Sequence, residues 1–363
     1  MSLPRVKIAD LKPKENIKSV FLIKYIAVME AKDGKKYLNI ILTDGKGDLE
    51  GRSWSQAEEI DEKFKKGDFI LVEGKINLFQ GRKQFIMQRH DTVDASLMNL
   101  DDFIMKSDND PEKMYGELLT IVKNLDDYYI RELILNIITD DEISRRLKTW
   151  QAGKTIHHAY KSGLLEHILS CSNLAVYLSP HYKVNVNYVV AGTILHDLCK
   201  IYELTDGVNI EYTEEGKLVG HLVKILEIID RFSYRIKDFP YQLKLHLKHI
   251  MLSHHGHYEY GSPKIPQTSE AMLVHLIDMM DSKMHSFETV KRSDNNTGHW
   301  TGFVKHLDRI IYKDELPFFP EPITETQSKP TSTMPKAKAK AKPVNQEIKN
   351  NLGSLLKDFK VDE

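Results

Sequence analysis

At 363 residues, with 41% hydrophobic and 28% charged side chains and a net charge of −1, the chain has an ordinary soluble composition and length enough for two domains. No stretch approaches the roughly 18 uninterrupted apolar residues of a membrane span, and MSLPRVKIAD lacks the apolar run of a signal peptide. Two cysteines exclude a disulfide framework and fit a reducing, cytoplasmic setting, while near-zero net charge leaves any nucleic-acid contact to local basic patches.

In chain order, VFLIKYIAVME (20–30) and KYLNIILTD (36–44) are β-rich runs joined by the turn signal KDGK. GDLEGRSW follows a second turn at DGKG, and SQAEEIDEKFKKG reads as a helix ending at Gly67. DFILVEGKINLF and RKQFIMQ complete a pair joined around QGR. Five strands with a helix between the third and fourth is the order of an OB-fold barrel, assigned to residues 1–90. Residues 91–111 read as an extended connector. Helix-period apolar spacing recurs near 112–124, 126–138, 163–178, 186–199, 218–230, 241–255 and 269–290, which predicts an all-α domain over 112–318. The remainder, 319–363, is Pro-, Thr- and Lys-rich (KAKAKAK within it) and is expected to be a disordered tail.

Within the helical half, ILHDLCK (194–200) places His196 and Asp197 side by side in an apolar run, which is costly unless a partner or a metal compensates them. His167 in GLLEH, His221 in KLVGHL, His254 and His255 in LSHHG, and Asp278 in LIDMMDSK extend this to H…HD…H…HH…D. Imidazole and carboxylate are the ligand set of first-row divalent metals. A carboxylate beside His196 can bridge two metals, and two metals about 3.5–4 Å apart clamp the attacking and leaving oxygens of a phosphoryl displacement and supply a hydroxide near neutral pH. Lys200, three residues after Asp197, is placed to hold a phosphate oxygen. His246, His249, His275, His285 and His299 lack such context and read as core or surface histidines; Cys171 and Cys199 read as small buried hydrophobes.

H…HD…D resembles the signature of the HD-domain phosphohydrolases, and the further histidines resemble its two-metal branch. By that resemblance one metal takes His167, His196, Asp197 and Asp278, and the second takes the bridging Asp197 with His221, His254 and His255. Two divalent ions are implied, manganese first, with iron, cobalt and zinc compatible with the same donors. The loop HHGHYEYGSPKIP departs from the Gly-Tyr-Pro loop of the cyclic-dinucleotide phosphodiesterases. TIHHAYKSGLLEH, ILHDLCK, HHGHYEYGSPKIPQTSEAMLVHLIDMMDSKM and the N-terminal FLIK and YLNIILTDGKGDLEGRSW resemble the YhaM-type 3′–5′ exoribonucleases, over roughly residues 5–315. That resemblance implies hydrolysis of single-stranded RNA to nucleoside 5′-monophosphates, with Asp197 and Lys200 as catalytic residues. His157 and His158, in the family-like HHAY, are expected to line the mouth of the site, and Tyr258, Tyr260, Gly261 and Ser262, by their position after His255, to shape the substrate pocket. The Lys-rich extension is not part of the pattern.

An OB barrel grips single strands with exposed aromatics beside a basic groove. Tyr37, Trp54, Phe79 and Phe85 are the stacking candidates, and Lys35, Lys36, Arg52, Lys75, Arg82 and Lys83 the phosphate contacts, with Arg82 and Lys83 favoured at a basic hairpin tip. The partner expected is single-stranded RNA, with single-stranded DNA open because a 2′-OH contact leaves no motif; a homo-oligomer is equally open. Competing readings are an HD-type phosphodiesterase acting on cyclic dinucleotides or nucleotides, a di-iron oxygenase on the same scaffold, and a non-enzymatic single-strand binder. The barrel argues against the first two, and the complete ligand set against the third.

Overall fold

The computed structural model describes residues 3–79, 82–154, 158–207, 210–294 and 298–315; the expected tail, His157 and the hairpin tip at 80–81 lie outside them. The N-terminal part is a closed barrel of β1 (Asn16–Glu30), β2 (Lys36–Thr43), β3 (Asp48–Ser53), β4 (Phe69–Phe79) and β5 (Arg82–Thr92), in the order β1-β2-β3-β5-β4. Alternation sends Leu38, Ile40 and Leu42 of β2 inward and leaves Tyr37 and Asn39 on the other face. Closure depends on the length of β1. Its first half pairs with β4 and its second half with β2, with a register shift between Ile23 and Tyr25 where it turns from one to the other. Gly74 sits at a second shift, against β5; a Cβ there would lie 2.1 Å from the Ile86 carbonyl oxygen, so only glycine lets the two strands coil this tightly. Helix α1 (Ala57–Lys63), between β3 and β4, buries Ala57 and Ile60 in the barrel core. β5 continues to Thr92, two residues past the expected boundary.

The C-terminal part is helical: α2 (Pro111–Lys123), α3 (Tyr128–Ile138), α4 (Asp141–Leu147), α5 (Gly163–Tyr182), α6 (Val186–Leu195), α7 (Lys200–Glu203), α8 (Glu214–Leu218), α9 (His221–Ser233), α10 (Tyr241–Ser253) and α11 (Ser269–Ser293). Asp110, Asp127, Asp140, Asn185, Thr213 and Thr268 each cap a helix by accepting a backbone N–H of its first turn. α4, α7 and α8 were not expected, since four to seven residues are too few to show a period. The helix expected over 186–199 stops at Leu195. Leu198 N–H donates to Leu195 O and Lys200 N–H to Asp197 O, so residues 196–199 form a tight turn that holds the His–Asp pair. Likewise the helix expected from 218 begins at His221, because Gly220 at φ +74° breaks it.

α6 is buried on nearly every side, between α5, α10 and α11. Gly192 makes that possible: a Cβ there would stand 2.6 Å from Val274 Cγ2 on α11. The close approach brings Asp278, one turn beyond Val274, up to His196, one turn beyond Gly192.

Candidate metal centre and nucleic-acid face

Seven side chains from three helices (α5, α9 and α11) and from the two turns after α6 and α10 converge. The ligating atoms of His167, His196, Asp197 and Asp278 lie within 4.8 Å of one another, as do those of His221, His254 and His255. Asp197 joins the two groups. Its Oδ2 is 3.6 Å from His167 Nε2 and 3.5 Å from His196 Nε2, while its Oδ1 is 3.7 Å from His221 Nε2. Asp278 Oδ1 completes the first group at 3.4 and 3.6 Å from the Nε2 atoms of His167 and His196. His167, His196 and His254 have no exposed surface, and Asp197 has 3%. All seven expected ligands are thus brought together, in the two groups expected.

The second nitrogens explain how the rings are aimed. Asp281 Oδ2 accepts from His167 Nδ1 at 2.7 Å, Thr193 O from His196 Nδ1 at 2.9 Å, and Met251 O from His254 Nδ1 at 2.9 Å. Glu203 accepts from His221 Nδ1 at 3.0 Å, and Tyr260 O from His255 Nδ1 at 3.0 Å. A carboxylate or carbonyl only accepts, so each of the five rings carries a proton on Nδ1 and turns Nε2 to the shared space. His221 Nε2 and His254 Nε2 are buried there without a hydrogen-bond partner. An unpaired buried polar atom costs about 1–3 kcal/mol. Two of them facing one carboxylate fit a cation.

Electrostatics agree. Burial, reinforced by His196, His255 and His221, pulls His254 well below its ordinary range and keeps it neutral, as a ligand must be. Burial and then His221 lower His255 in the same way. Burial would raise Asp197, but Lys200 and His196 outweigh it and hold the carboxyl well below the usual range. Asp278 is likewise ionised: burial opposes this, and the adjacent His167 and His196 prevail. Only His167 goes the other way. Burial lowers it, but Cys171, Asp278 and Asp281 together raise it well above its usual value. Of these, the Cys171 thiol, pushed up to about 11 mainly by burial, is uncharged near neutrality, so the two carboxylates set the direction. Asp278, beside Nε2, attracts a proton to the position where it would attract a metal.

Lys200 Nζ lies 2.6 Å from Asp197 Oδ2, beside the first group. Tyr258 and Tyr260 are largely exposed on the loop after His255, and Tyr260 fixes that histidine through its carbonyl. Two expected substrate residues are placed otherwise. Ser262 is 3% exposed, and its hydroxyl faces Leu252 O and Lys264 O, so it ties the loop down. His158 is 4% exposed, with Nε2 3.2 Å from Asp281 Oδ2, Nδ1 3.0 Å from Tyr160 OH, and its ring stacked on His285 at 3.7 Å. It belongs to the support behind His167 rather than to an open mouth. Sequence reasoning missed Asp281, Glu203 and His275. The first two stand three residues after Asp278 and Lys200, which is a usable signal; His275, whose Nδ1–H donates to His254 O at 2.8 Å, gives none.

On the barrel, Tyr37 and Trp54 lie 4.9 Å apart at 34°, and Trp54 and Phe79 are half exposed. Arg82 is exposed and Lys83 partly so. Phe85 is fully buried in the core and is no stacking platform. Arg52 is held by Glu50 rather than displayed, with Nη2 3.0 Å from Oε1.

Comparison with known proteins matches these two halves. Residues 164–283 fit the family model described as HD domain, and 23–90 the one described as OB-fold nucleic acid binding domain. Among solved structures, the second OB-fold domain of replication protein A from Methanococcus maripaludis is 20% identical, over 24% of this chain and 93% of that one, with a TM-score of 0.21. A mitochondrial single-stranded DNA binding protein from S. cerevisiae is 13% identical, over 23% and 97%, with a TM-score of 0.20. The chain therefore joins an OB-type barrel to a helical HD domain.

Proposed function

We propose that the protein is a metal-dependent 3′–5′ exoribonuclease that hydrolyses single-stranded RNA to nucleoside 5′-monophosphates, the barrel presenting the strand to the helical site. The observation that carries the reading is the division of the Asp197 oxygens between two groups of histidines whose Nδ1 atoms are all engaged. His167, His196, Asp197 and Asp278 would hold one divalent ion, and Asp197, His221, His254 and His255 a second. Bound there, such ions polarise a phosphodiester and acidify water for in-line attack.

The chain's own residues do the rest. Asp281 and Glu203 fix the tautomer and aim of His167 and His221. Lys200, next to the shared carboxylate, offers its ammonium to a phosphate oxygen as charge builds in the transition state. Tyr258 and Tyr260 flank the loop beside His255, where a terminal base can stack. On the barrel, Tyr37, Trp54 and Arg82 provide rings and charge for the upstream strand. Polarity and the choice of RNA come from the YhaM-type resemblance. Free, buried Cys171 and Cys199 suit a cytoplasmic setting.

The test is purified protein with manganese on 5′-labelled single-stranded RNA, beside Asp197→Ala. Stepwise shortening that vanishes in the variant supports the reading. Intact RNA under manganese, iron, cobalt and zinc, with turnover of a cyclic dinucleotide instead, would replace it with a phosphodiesterase.

A further inference from the structure

Among the described residues, four buried side-chain atoms lack a hydrogen-bond partner: His221 Nε2, His254 Nε2, Asn39 Oδ1 and Arg52 Nε. A folded chain keeps such groups where something else will pair them. The first two face the metal centre. The other two are also neighbours, since Asn39 and Arg52 are directly opposed across the β2–β3 ladder.

Charged and aromatic side chains cover them. Glu50 Oε1 accepts from Arg52 Nη2 at 3.0 Å and from Gln84 Nε2 at 3.2 Å, which locks the guanidinium in orientation. The Tyr37 ring lies 5.0 Å from Arg52 Cζ and the Phe79 ring 5.8 Å. Trp54 extends the aromatic edge beside Tyr37.

A phosphate does not suit this pocket. It offers acceptors only, and would meet the Asn39 oxygen and the Glu50 carboxylate, with the charge of Arg52 already balanced by Glu50. A nucleobase edge offers donors and acceptors together. The one donor left buried and unpaired, Arg52 Nε, stands beside acceptors on Asn39 and Glu50, so its complement has one acceptor next to two donors. The Watson–Crick edge of guanine has that order in O6, N1–H and the N2 amine. Adenine has one exocyclic amine beside ring acceptors, cytosine one amine and two acceptors, and uracil one N–H between two carbonyls. We infer that the barrel carries a guanine-reading pocket formed by Asn39, Arg52 and Glu50, roofed by Tyr37 and Phe79. It rests on the reading of the barrel as a single-strand handle, and adds base preference to it. Because both unpaired atoms are covered, a base enters as the Tyr37 and Phe79 rings swing from the guanidinium and stack on it instead.

Fluorescence anisotropy of the full-length protein in EDTA, where hydrolysis is blocked, tests this with uridine oligomers carrying a central pair of guanosines, inosines or adenosines. The guanosine oligomer should bind about tenfold more tightly than the adenosine one, the scale of one good bidentate base contact. Inosine, lacking the N2 amine, should fall between them. Arg52→Lys, which keeps the charge but not the Nε donor, and Asn39→Ala should each bring the guanosine-to-adenosine ratio to about one, with folding verified by circular dichroism. Equal binding of all three oligomers by the unmodified protein overturns the pocket, as does a folded variant of either kind that keeps the preference. Failure to bind any oligomer would instead reject the single-strand reading of the barrel.

Discussion

The Asp197 carboxylate turns Oδ1 toward His221 Nε2 at 3.7 Å while its Oδ2 receives Lys200 Nζ at 2.6 Å. One side chain thus touches the second histidine group and the cation beside the first. Replacing Lys200 with methionine keeps the length of the side chain and removes only its charge. RNA hydrolysis should fall about 100- to 1,000-fold in kcat, the scale of one lost transition-state donor. Single-turnover kinetics on labelled RNA would measure it; a change in KM alone would mean that Lys200 only binds.

Behind the first group, Asp281 holds His167, His158 and Ser170 at once. Asp281→Asn keeps the shape but removes the charge that makes His167 a better ligand. Manganese affinity should drop by about 10- to 100-fold, with the fold intact. Isothermal titration measures the first and circular dichroism the second. Unchanged affinity would leave Asp281 without a role in aiming His167.

Metal should also support the fold, because buried Asp197, partly buried Asp278 and four buried histidines repel or lack partners when no cation joins them. A ligand at 100 times its Kd stabilises the native state by about 2.7 kcal/mol. Dialysis against EDTA should lower the thermal midpoint, and added manganese should restore it in a concentration-dependent way. A midpoint indifferent to both would argue against resident ions.

His285 makes a pH-dependent contribution. Burial, then His158, pushes it down to about 4, with Glu166 and Asp281 pulling it back and His167 adding to the fall. Its ordinary value is 6.5, so the unfolded chain takes up this proton first as the pH drops. Stability from this group is therefore lost between about 6.5 and 4 and does not fall further below that. In urea unfolding across this window, His285→Gln should show a shallower decline than the parent chain; parallel curves would refute the assignment.

Gly192→Ala tests the packing that assembles the site. The added methyl meets Val274 Cγ2 at 2.6 Å and Ile250 Cγ2 at 3.0 Å. Overpacking of this kind costs about 1–3 kcal/mol. Denaturant unfolding should show that loss, and manganese binding should weaken with it, because α11 carries Asp278 and the turn that ends α6 carries His196 and Asp197.

The barrel and the long helices were legible because each buries a face with its own period: alternation in KYLNIILT, three-and-four spacing in α9 and α11. Where short-range geometry overrules the pattern, legibility ends. The helix through ILHDLCK stops at Leu195 because i to i+3 bonds replace i to i+4 bonds there. Short α4 and α8 owe their existence to caps, and α7 to its neighbours, more than to their own apolar residues.

In the site, ligand identity was a matter of residue type. His167, His196, Asp197, His221, His254, His255 and Asp278 are the donors a metal needs, and spaced pairs such as HD and HH stand out in any chain. Their division into two groups came from resemblance; the fold places their ligating atoms in two clusters joined by Asp197. What only the tertiary structure decided is what stands behind each donor. Asp281, Glu203, the carbonyls of Thr193, Met251 and Tyr260, and the unpaired Asn39 Oδ1 and Arg52 Nε have no signature, because a hydrogen bond depends on where two distant segments are brought together. Donor chemistry is a property of single residues and survives in one dimension; orientation is a property of pairs and exists only once the chain has folded.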